Sequence, residues 1–278
     1  MTYQNILVHA DHTKASSARV EATAALAVRF KSFLTGVFLM AEAAPAHMVS
    51  DAITMPTENL ERYMDERSQK ITQLCCSARS AFNLTVGDAG LPFHWLEVNG
   101  DRDEELIACA RRHDLVVMPP TMKAPLGQNT IQATQVAMAC GGPVLIVPPS
   151  GFSKDIGRKV LVAWNDSRES ARALRDAWPF LEQAEEIHFL IVSKRAAPQL
   201  DELLQRHLRQ HNCRPAKVVV DRRDDLVTGN VISRHIGMAG ADMAVLGLYG
   251  HSRLRELVLG GVSRDLLEEL PVPLLMSH

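Results

Sequence analysis

From residue 247 the chain reads Gly247-Leu-Tyr-Gly250-His-Ser-Arg-Leu-Arg-Glu-Leu-Val-Leu-Gly260-Gly261-Val262-Ser263. An apolar segment, 241–246, precedes this stretch and predicts a buried strand. Leucines at helical spacing follow it within 264–270 and predict a helix. The order strand, glycine-rich loop, helix start directs backbone N–H groups and the positive end of a helix dipole at one small volume. The stretch therefore predicts an anion site, most simply for a phosphate, and indicates binding rather than bond breaking.

The spacing of Gly247, Gly250 and Gly260 resembles the nucleotide loop of the universal stress protein family. The flanking sequence is similar too, with Gly-Ala-Asp before the strand and Pro-Val-Pro-Leu-Leu at 271–275. The resemblance implies a non-catalytic protein of the stress response or of signalling that binds ATP or another adenine nucleotide. It implies a set of contacts to that nucleotide: Gly247, Gly250, Gly260, Gly261, Val262 and Ser263 near the phosphates, and Asn165 and Val192 near the base and ribose.

Two residues depart from the family pattern. Nucleotide-binding members carry Ser or Thr directly after the third glycine, where this chain has Gly261. A hydroxyl there would donate one charge-assisted hydrogen bond, so its loss weakens binding by roughly tenfold to a hundredfold. Relatives also carry Asp where this chain has Asn165, whose amide accepts a hydrogen bond but has no charge. Both departures leave open a second reading, an interaction scaffold of the same family with no nucleotide bound.

Composition is that of an ordinary globular protein. The 278 residues are 46% hydrophobic and 22% charged, and the net charge of −2 gives no bulk attraction to nucleic acid or anionic lipid. No apolar run approaches the roughly 18 residues of a membrane-spanning helix, and the amino terminus enters a strand pattern without a basic leader. Five cysteines lack metal-ligand spacing. We expect a cytoplasmic protein with no nucleic-acid or membrane partner.

The chain repeats itself. The apolar run 5–11 matches 159–165 at an offset of 154, whereas 114–118 matches 242–246 at an offset of 128. We therefore predict a first domain over 1–150, with extra residues within about 41–81, and a second domain over 155–278.

Only the second domain carries the glycine-rich loop. The first has Met118-Pro-Pro-Thr-Met-Lys-Ala-Pro-Leu-Gly127 instead, and prolines remove the N–H donors of an amide cradle. A structural role is predicted there, followed by a helix from about 130 to 140.

Short apolar strands alternate with helices in each half. This pattern predicts two tandem copies of a Rossmann-like α/β domain, each a five-stranded parallel sheet with helices on both faces. Ligands of such sheets bind at the carboxyl ends of the strands. The terminal strands, 143–147 and 271–275, would leave apolar sheet edges, which pairing of the two copies would cover. A further homodimer is expected only from the family resemblance.

Other chemistry has little support in the sequence. The glycine-lysine loop of common NTPases, the dinucleotide fingerprint and the nucleophile elbow are all absent. His207 and His211 stand four apart on a predicted helix, without a Glu or Cys at a zinc-site spacing, and are read as a solvated face. His9 and His12 flank Asp11 but have no nucleophile near in sequence. No metal is predicted beyond nucleotide-associated Mg, and a slow ATPase is the third alternative.

Overall fold

Ten strands join into one sheet in the computed structural model, which describes residues 2–41, 57–100, 102–127, 129–150, 152–192, 198–221, 228–248, 267 and 270–278. The strands are β1 Asn5–His9, β2 Phe33–Met40, β3 Phe93–Asn99, β4 Leu115–Met118, β7 Val144–Ile146, β8 Lys159–Trp164, β9 Glu186–Val192, β10 Ala216–Asp221, β11 Met243–Gly247 and β12 Leu274–Ser277. A separate hairpin consists of β5 Thr121–Lys123 and β6 Thr130–Gln132. Nine of the ten sheet strands begin and end within one residue of the bounds that their apolar runs predict, and β2 begins at Phe33, two residues before the predicted start at Thr35.

The helices are α1 Lys14–Phe30, α2 Thr57–Asp88, α3 Asp103–Ala110, α4 Ala133–Cys140, α5 Arg168–Asp176, α6 Trp178–Leu181, α7 Pro198–Gln210 and α8 Thr228–Ala239. None of these helices combines the length and apolarity needed to cross a membrane. Helix α2 has 32 residues, whereas α7, at the same place in the second half, has 13. The extra residues of the first half therefore include a lengthened helix between its second and third strands.

The two halves have the same strand order. The first half runs β3-β2-β1-β4-β7 and the second runs β10-β9-β8-β11-β12, and every pairing inside each half is parallel. Helices cover both faces of the sheet, because Ile6 and Val8 enter one buried cluster while Leu7 enters the other. The predicted fold class, two tandem Rossmann-like α/β copies with five-stranded parallel sheets, is confirmed.

Strands β7 and β12 join the halves. They pair antiparallel, with Leu145 opposite Leu275, and both side chains are fully buried. This confirms the predicted covering of the two terminal edge strands. Because the pairing is antiparallel, the strands of the two halves run in opposite directions. The carboxyl ends of the first-half strands therefore lie at one end of the sheet, and those of the second-half strands lie at the other end.

Two aspartates at equivalent places hold the amino ends of the first strands. Asp114 Oδ2 accepts hydrogen bonds from the N–H groups of Gln4 and Asn5 at 2.8 and 2.9 Å. Asp242 accepts from Gly157, Arg158 and Lys159 at 2.7, 3.0 and 2.9 Å. Each aspartate stands just before the fourth strand of its half and satisfies backbone donors that the sheet leaves unpaired. The match at an offset of 128 therefore reflects a shared structural role.

Two predicted helices differ from those observed. The segment 168–181 is rich in Ala and Leu, which predicts one helix after β8, but the observed helix is split at Ala177. Pro179 has no N–H to donate to Arg175, and its ring crowds that carbonyl. The helix predicted from about 130 begins at Ala133, since Thr130–Gln132 pairs with Thr121–Lys123 as β6. Both corrections come from backbone hydrogen bonding that apolar periodicity does not report.

The aspartate pair gives a matched stability test. We expect Asp242→Ala to lower the free energy of unfolding by about 2–3 kcal/mol, because it leaves three N–H groups without their charged acceptor. Asp114→Ala removes an exposed acceptor of two N–H groups and should lower the free energy of unfolding by a smaller amount. Equilibrium urea unfolding of both variants measures the difference. Equal losses would contradict the assigned role of Asp242.

Candidate functional site

The turn after β8 presents Asn165 at the carboxyl edge of the second half. Asn165 is exposed, and its Oδ1 accepts a hydrogen bond from the N–H of Ser167 at 3.2 Å. Asp166 adopts a left-handed conformation with φ of 59°, which aspartate tolerates. Ser167 caps α5, because its Oγ accepts from the Ser170 N–H at 3.1 Å. The turn thus fixes a helix start beside a polar amide that points to solvent.

Gly247 brings β11 against the first turn of α5. A Cβ on Gly247 would lie 2.4 Å from the carbonyl carbon of Glu169 and 2.5 Å from the nitrogen of Ser170. Both are backbone atoms that cannot move without shifting the helix. Gly247 is not among the described glycines with positive φ, so the requirement is space rather than a left-handed turn. The structure therefore brings Asn165 and Gly247 to the same helix start and gives Gly247 a packing role.

Most of the predicted phosphate loop lies outside the described residues. This applies to Gly250, Gly260, Gly261, Val262 and Ser263. Val192 ends β9, where its backbone pairs with Asp221 of β10. Of the predicted contacts, the structure locates Asn165, Gly247 and the backbone of Val192, all at the carboxyl edge of the second half.

Two buried polar atoms at this edge have no hydrogen-bond partner within the part of the chain that the structure describes. They are Nε1 of Trp164, which ends β8, and Oγ of Ser277, which pairs with Gly247 across β11 and β12. Trp164 packs its ring on Phe189 at a centroid distance of 6.3 Å, so the residue is chiefly core. Unpaired buried donors are uncommon and indicate a place where a ligand or water can bind.

The first half has the same turn, but there the side chain of Arg19 lies against it. Asp11 Oδ1 accepts from the Thr13 N–H at 2.7 Å, as Asn165 does from Ser167. Arg19 then donates from Nη2 to Asp11 Oδ2 at 3.2 Å and from Nε to the His9 carbonyl at 2.8 Å. At the offset of 154, the second half has the small residues Ala163 and Ala173 in place of His9 and Arg19. The side chain of Asp11 is therefore engaged within the protein, whereas that of Asn165 is exposed.

Burial and charge fix the protonation of this first-half cluster. Burial and then the Arg19 charge lower the pKa of His9 to about 3, against the opposing pull of Asp11. Burial also lowers the pKa of Arg19. For Asp11, burial acts to raise the pKa, but His9, Thr13 and Arg19 together outweigh it and hold the pKa below its usual value. A neutral His9 fits the geometry, because its Nδ1 lies 3.1 Å from Arg19 Nη2 and can only accept.

The β5–β6 hairpin packs on the first-half carboxyl edge at the ends of β2 and β3. A Cβ on Gly100, which follows β3, would lie 2.6 Å from Cβ of Ala124 and 2.7 Å from Cβ of Leu39. Arg67 of α2 donates to the Leu126 carbonyl at 2.8 Å and holds the hairpin tip. The segment that replaces the glycine-rich loop is thus packed onto the strand ends, in agreement with its predicted structural role.

An ionic cluster beside Val192 was not predicted from the sequence. Asp221 Oδ2 accepts from Arg234 Nη2 at 2.5 Å and lies 2.9 Å from His235 Nε2, and all three residues are buried or half-buried. Strands lie about 4.8 Å apart, so Asp221 stands roughly 10 Å from Asn165 along the sheet edge. The sequence signal was a carboxylate at the end of an apolar strand, Val218-Val-Val-Asp221, followed by paired basic residues on a helix.

Metal-binding groups and cysteines add little to this site. Among the described residues, no three His, Cys, Asp or Glu side chains converge as a metal site. The five cysteines are free thiols. His12 is exposed, whereas Asp11 and His9 are hydrogen-bonded to Arg19.

The low pKa of His9 gives a pH dependence of stability. An unfolded histidine titrates near 6.5, so the unfolded chain gains a proton between about pH 6.5 and 3 that the folded chain excludes. The contribution of neutral His9 to the free energy of unfolding is therefore fully present above pH 6.5 and decreases as the pH falls towards 3. We expect urea unfolding of His9→Gln to show a shallower loss between pH 6.5 and 5. An NMR titration in which the His9 ring protonates near pH 6.5 would contradict this account.

The packing of Gly247 is tested by a pair of glycine variants. Gly247→Ala should cost about 1–3 kcal/mol of unfolding free energy, because the new methyl group meets the α5 backbone. Gly237, inside α8, has nothing within 4 Å of an added Cβ. Gly237→Ala should stabilise the protein by about 0.5–1 kcal/mol through backbone entropy. Thermal or urea unfolding distinguishes the two variants. An unchanged free energy of unfolding in Gly247→Ala would exclude the proposed contact.

Known proteins resemble this chain in structure. No protein-family model and no curated protein matches it. A universal stress protein from Archaeoglobus fulgidus DSM 4304 superposes with a TM-score of 0.73 at 16% identity, over 98% of this chain and 97% of that one. A putative universal stress protein from Pseudomonas aeruginosa UCBPP-PA14 gives 0.58 at 13%, over 99% and 93%. A functionally unknown protein from Pseudomonas aeruginosa PAO1 gives 0.56 at 13%, over 99% and 92%.

These similarities extend across both halves of the chain. The resemblance suggested by the glycine spacing is therefore supported by structural similarity over nearly the whole chain. The chain has the fold of the universal stress proteins along nearly its whole length.

Proposed function

We propose that this chain is a tandem universal stress protein whose second domain binds ATP or another adenine nucleotide without catalysing its turnover. The proposal divides the chain into a first domain, 1–150, and a second domain, 155–278. The nucleotide is held at the carboxyl edge of β8, β9 and β11 in the second domain. The first domain serves as a structural partner with its own site filled.

The observation that carries the proposal is the difference between the two equivalent turns. In the first half, Arg19 bonds to Asp11 and the hairpin packs on Gly100. In the second half, Asn165 is exposed beside the start of α5, and Ala173 replaces the arginine. A helix start beside an exposed polar side chain suits a ligand, whereas the turn engaged by Arg19 does not.

The residues at this edge fit an adenine nucleotide. The Asn165 side chain offers an amide for the base or ribose, and the buried Trp164 Nε1 is an N–H donor for which the described residues hold no acceptor. Gly250, Gly260, Gly261, Val262 and Ser263 would supply backbone N–H groups and one hydroxyl to the phosphates, as their spacing predicts. The nucleotide would bring the phosphate charge and its associated Mg; the protein would bind and orient it.

The proposed role is to report the bound nucleotide to a partner in the stress response or in signalling. A ligand that binds one loop arrangement more tightly than another shifts the population of the two. The proposal places this exchange in the cytoplasm and includes association into homodimers, in keeping with the resemblance. Neither feature is needed for the nucleotide site itself.

A scaffold of the same fold without nucleotide is the second candidate. The packing of Gly247 favours the scaffold, because the close approach to Glu169 explains why a glycine is needed at this position without any ligand. Asn165 also favours the scaffold, because its side chain is neutral and its Oδ1 already accepts a hydrogen bond from Ser167. Titration with nucleotide distinguishes the two candidates.

We expect isothermal titration with Mg-ATP to saturate at one site per chain with weak, micromolar or poorer affinity. Gly261→Ser restores the hydroxyl donor and should tighten binding by about tenfold. Asn165→Ala should weaken it, while the matched Asp11→Ala in the first half should leave it unchanged. Failure of both the natural chain and Gly261→Ser to bind millimolar ATP would refute the nucleotide site and favour the scaffold. Phosphate release that disappears in Gly260→Val would instead indicate an ATPase.

A further inference from the structure

His207 and His211 form a compact aromatic cluster with Trp178 outside the nucleotide site. The two histidines are four residues apart near the end of α7 and in the residue following it, and Trp178 begins α6. The His211 ring stacks on Trp178 at a centroid distance of 4.1 Å and an angle of 9°. The His207 ring meets Trp178 edge-on at 5.2 Å and His211 at 4.8 Å. The pair is therefore not the freely solvated face that the sequence suggested.

The separation of the two imidazoles suits chelation of one metal ion. A metal–nitrogen bond of about 2.0–2.1 Å places the ion about 3.2 Å from each ring centroid. Two centroids 4.8 Å apart then subtend roughly 100° at the ion, between square-planar and tetrahedral angles. The rings now meet at 75°, but rotation about χ2 turns a ring almost in place, and this torsion is broad for histidine.

The surroundings preorganise the pair and set its limits. Trp178 is buried and fixes His211 by stacking, whereas His207 is exposed and free to turn. Burial, His211 and Arg175 together lower the pKa of His207. The positive charge of Arg175 also opposes a dication. No third His, Cys, Asp or Glu joins the pair among the described residues, so water would complete the coordination.

We propose that His207 and His211 bind one late first-row transition-metal dication, with Cu²⁺ bound most tightly. Two imidazoles at i and i+4 on one helix face are a recurrent chelating pair. For a given set of nitrogen ligands, affinity rises through Ni²⁺ to Cu²⁺ and falls at Zn²⁺. This site lies on α7 and α6, and its function does not depend on nucleotide binding.

The test is a titration of the untagged full-length protein with Cu²⁺ while tryptophan emission and binding heat are recorded. Cu²⁺ quenches an indole at close range, and Trp178 is stacked on a proposed ligand. We expect saturable quenching with one equivalent of Cu²⁺. His207→Gln should weaken binding by about a hundredfold through loss of the chelate. Arg175→Gln should strengthen it, because a nearby positive charge is removed.

Two controls keep the result specific. His94→Gln changes an exposed histidine on β3, in the other half of the sheet, and should leave binding and quenching unchanged. Trp178→Phe should lose the saturable quenching, since Trp95 and Trp164 lie on other elements. Unsaturable quenching, or the same Cu²⁺ affinity in His207→Gln as in the natural chain, would overturn the proposal. Circular dichroism of each variant confirms that the fold is kept.

Discussion

Strands β7 and β12 pair antiparallel, and this pairing covers the edge that each five-stranded sheet would otherwise expose. An apolar edge strand with unpaired N–H and C=O groups invites association with another chain. Here Leu145 and Leu275 meet and are fully buried instead. The same pairing fixes the antiparallel orientation of the halves, so their carboxyl edges lie at opposite ends of the sheet. Each edge has therefore been free to acquire its own chemistry.

The halves have diverged at those edges by changing side chains on a shared backbone. Asp11 and Asn165 form the same turn, yet Arg19 occupies the space beside one and Ala173 stands at the matching place in the other. The hairpin packed against Gly100 completes the filling of the first edge. A buried arginine must keep its ionic and hydrogen-bond partners, so Arg19 holds Asp11 within the protein. For this reason we propose ligand recognition in the second half only.

The sequence predicted the strands well because parallel strands buried on both faces are continuous apolar runs, as in 115–118 and 243–246. It missed β5 and β6, whose three-residue strands carry no such run and form only because each pairs with the other. The Arg19–Asp11 contact and the Trp178–His211 stack were also missed, since they depend on the closure of turns and on the packing of separate helices. Asn165 and Gly247 were predicted as site residues because the family resemblance names those positions. The packing reason for Gly247 came only from the structure.

The central claim is that one half binds an adenine nucleotide and the other does not. Native mass spectrometry of freshly purified, full-length protein, followed by identification of the small molecules released on denaturation, tests it most directly. The account predicts an adenine nucleotide at no more than one per chain, with occupancy rising to one when ATP is added. Two nucleotides per chain would contradict the filled first half. A chain that stays empty at millimolar ATP would contradict the binding role of the second.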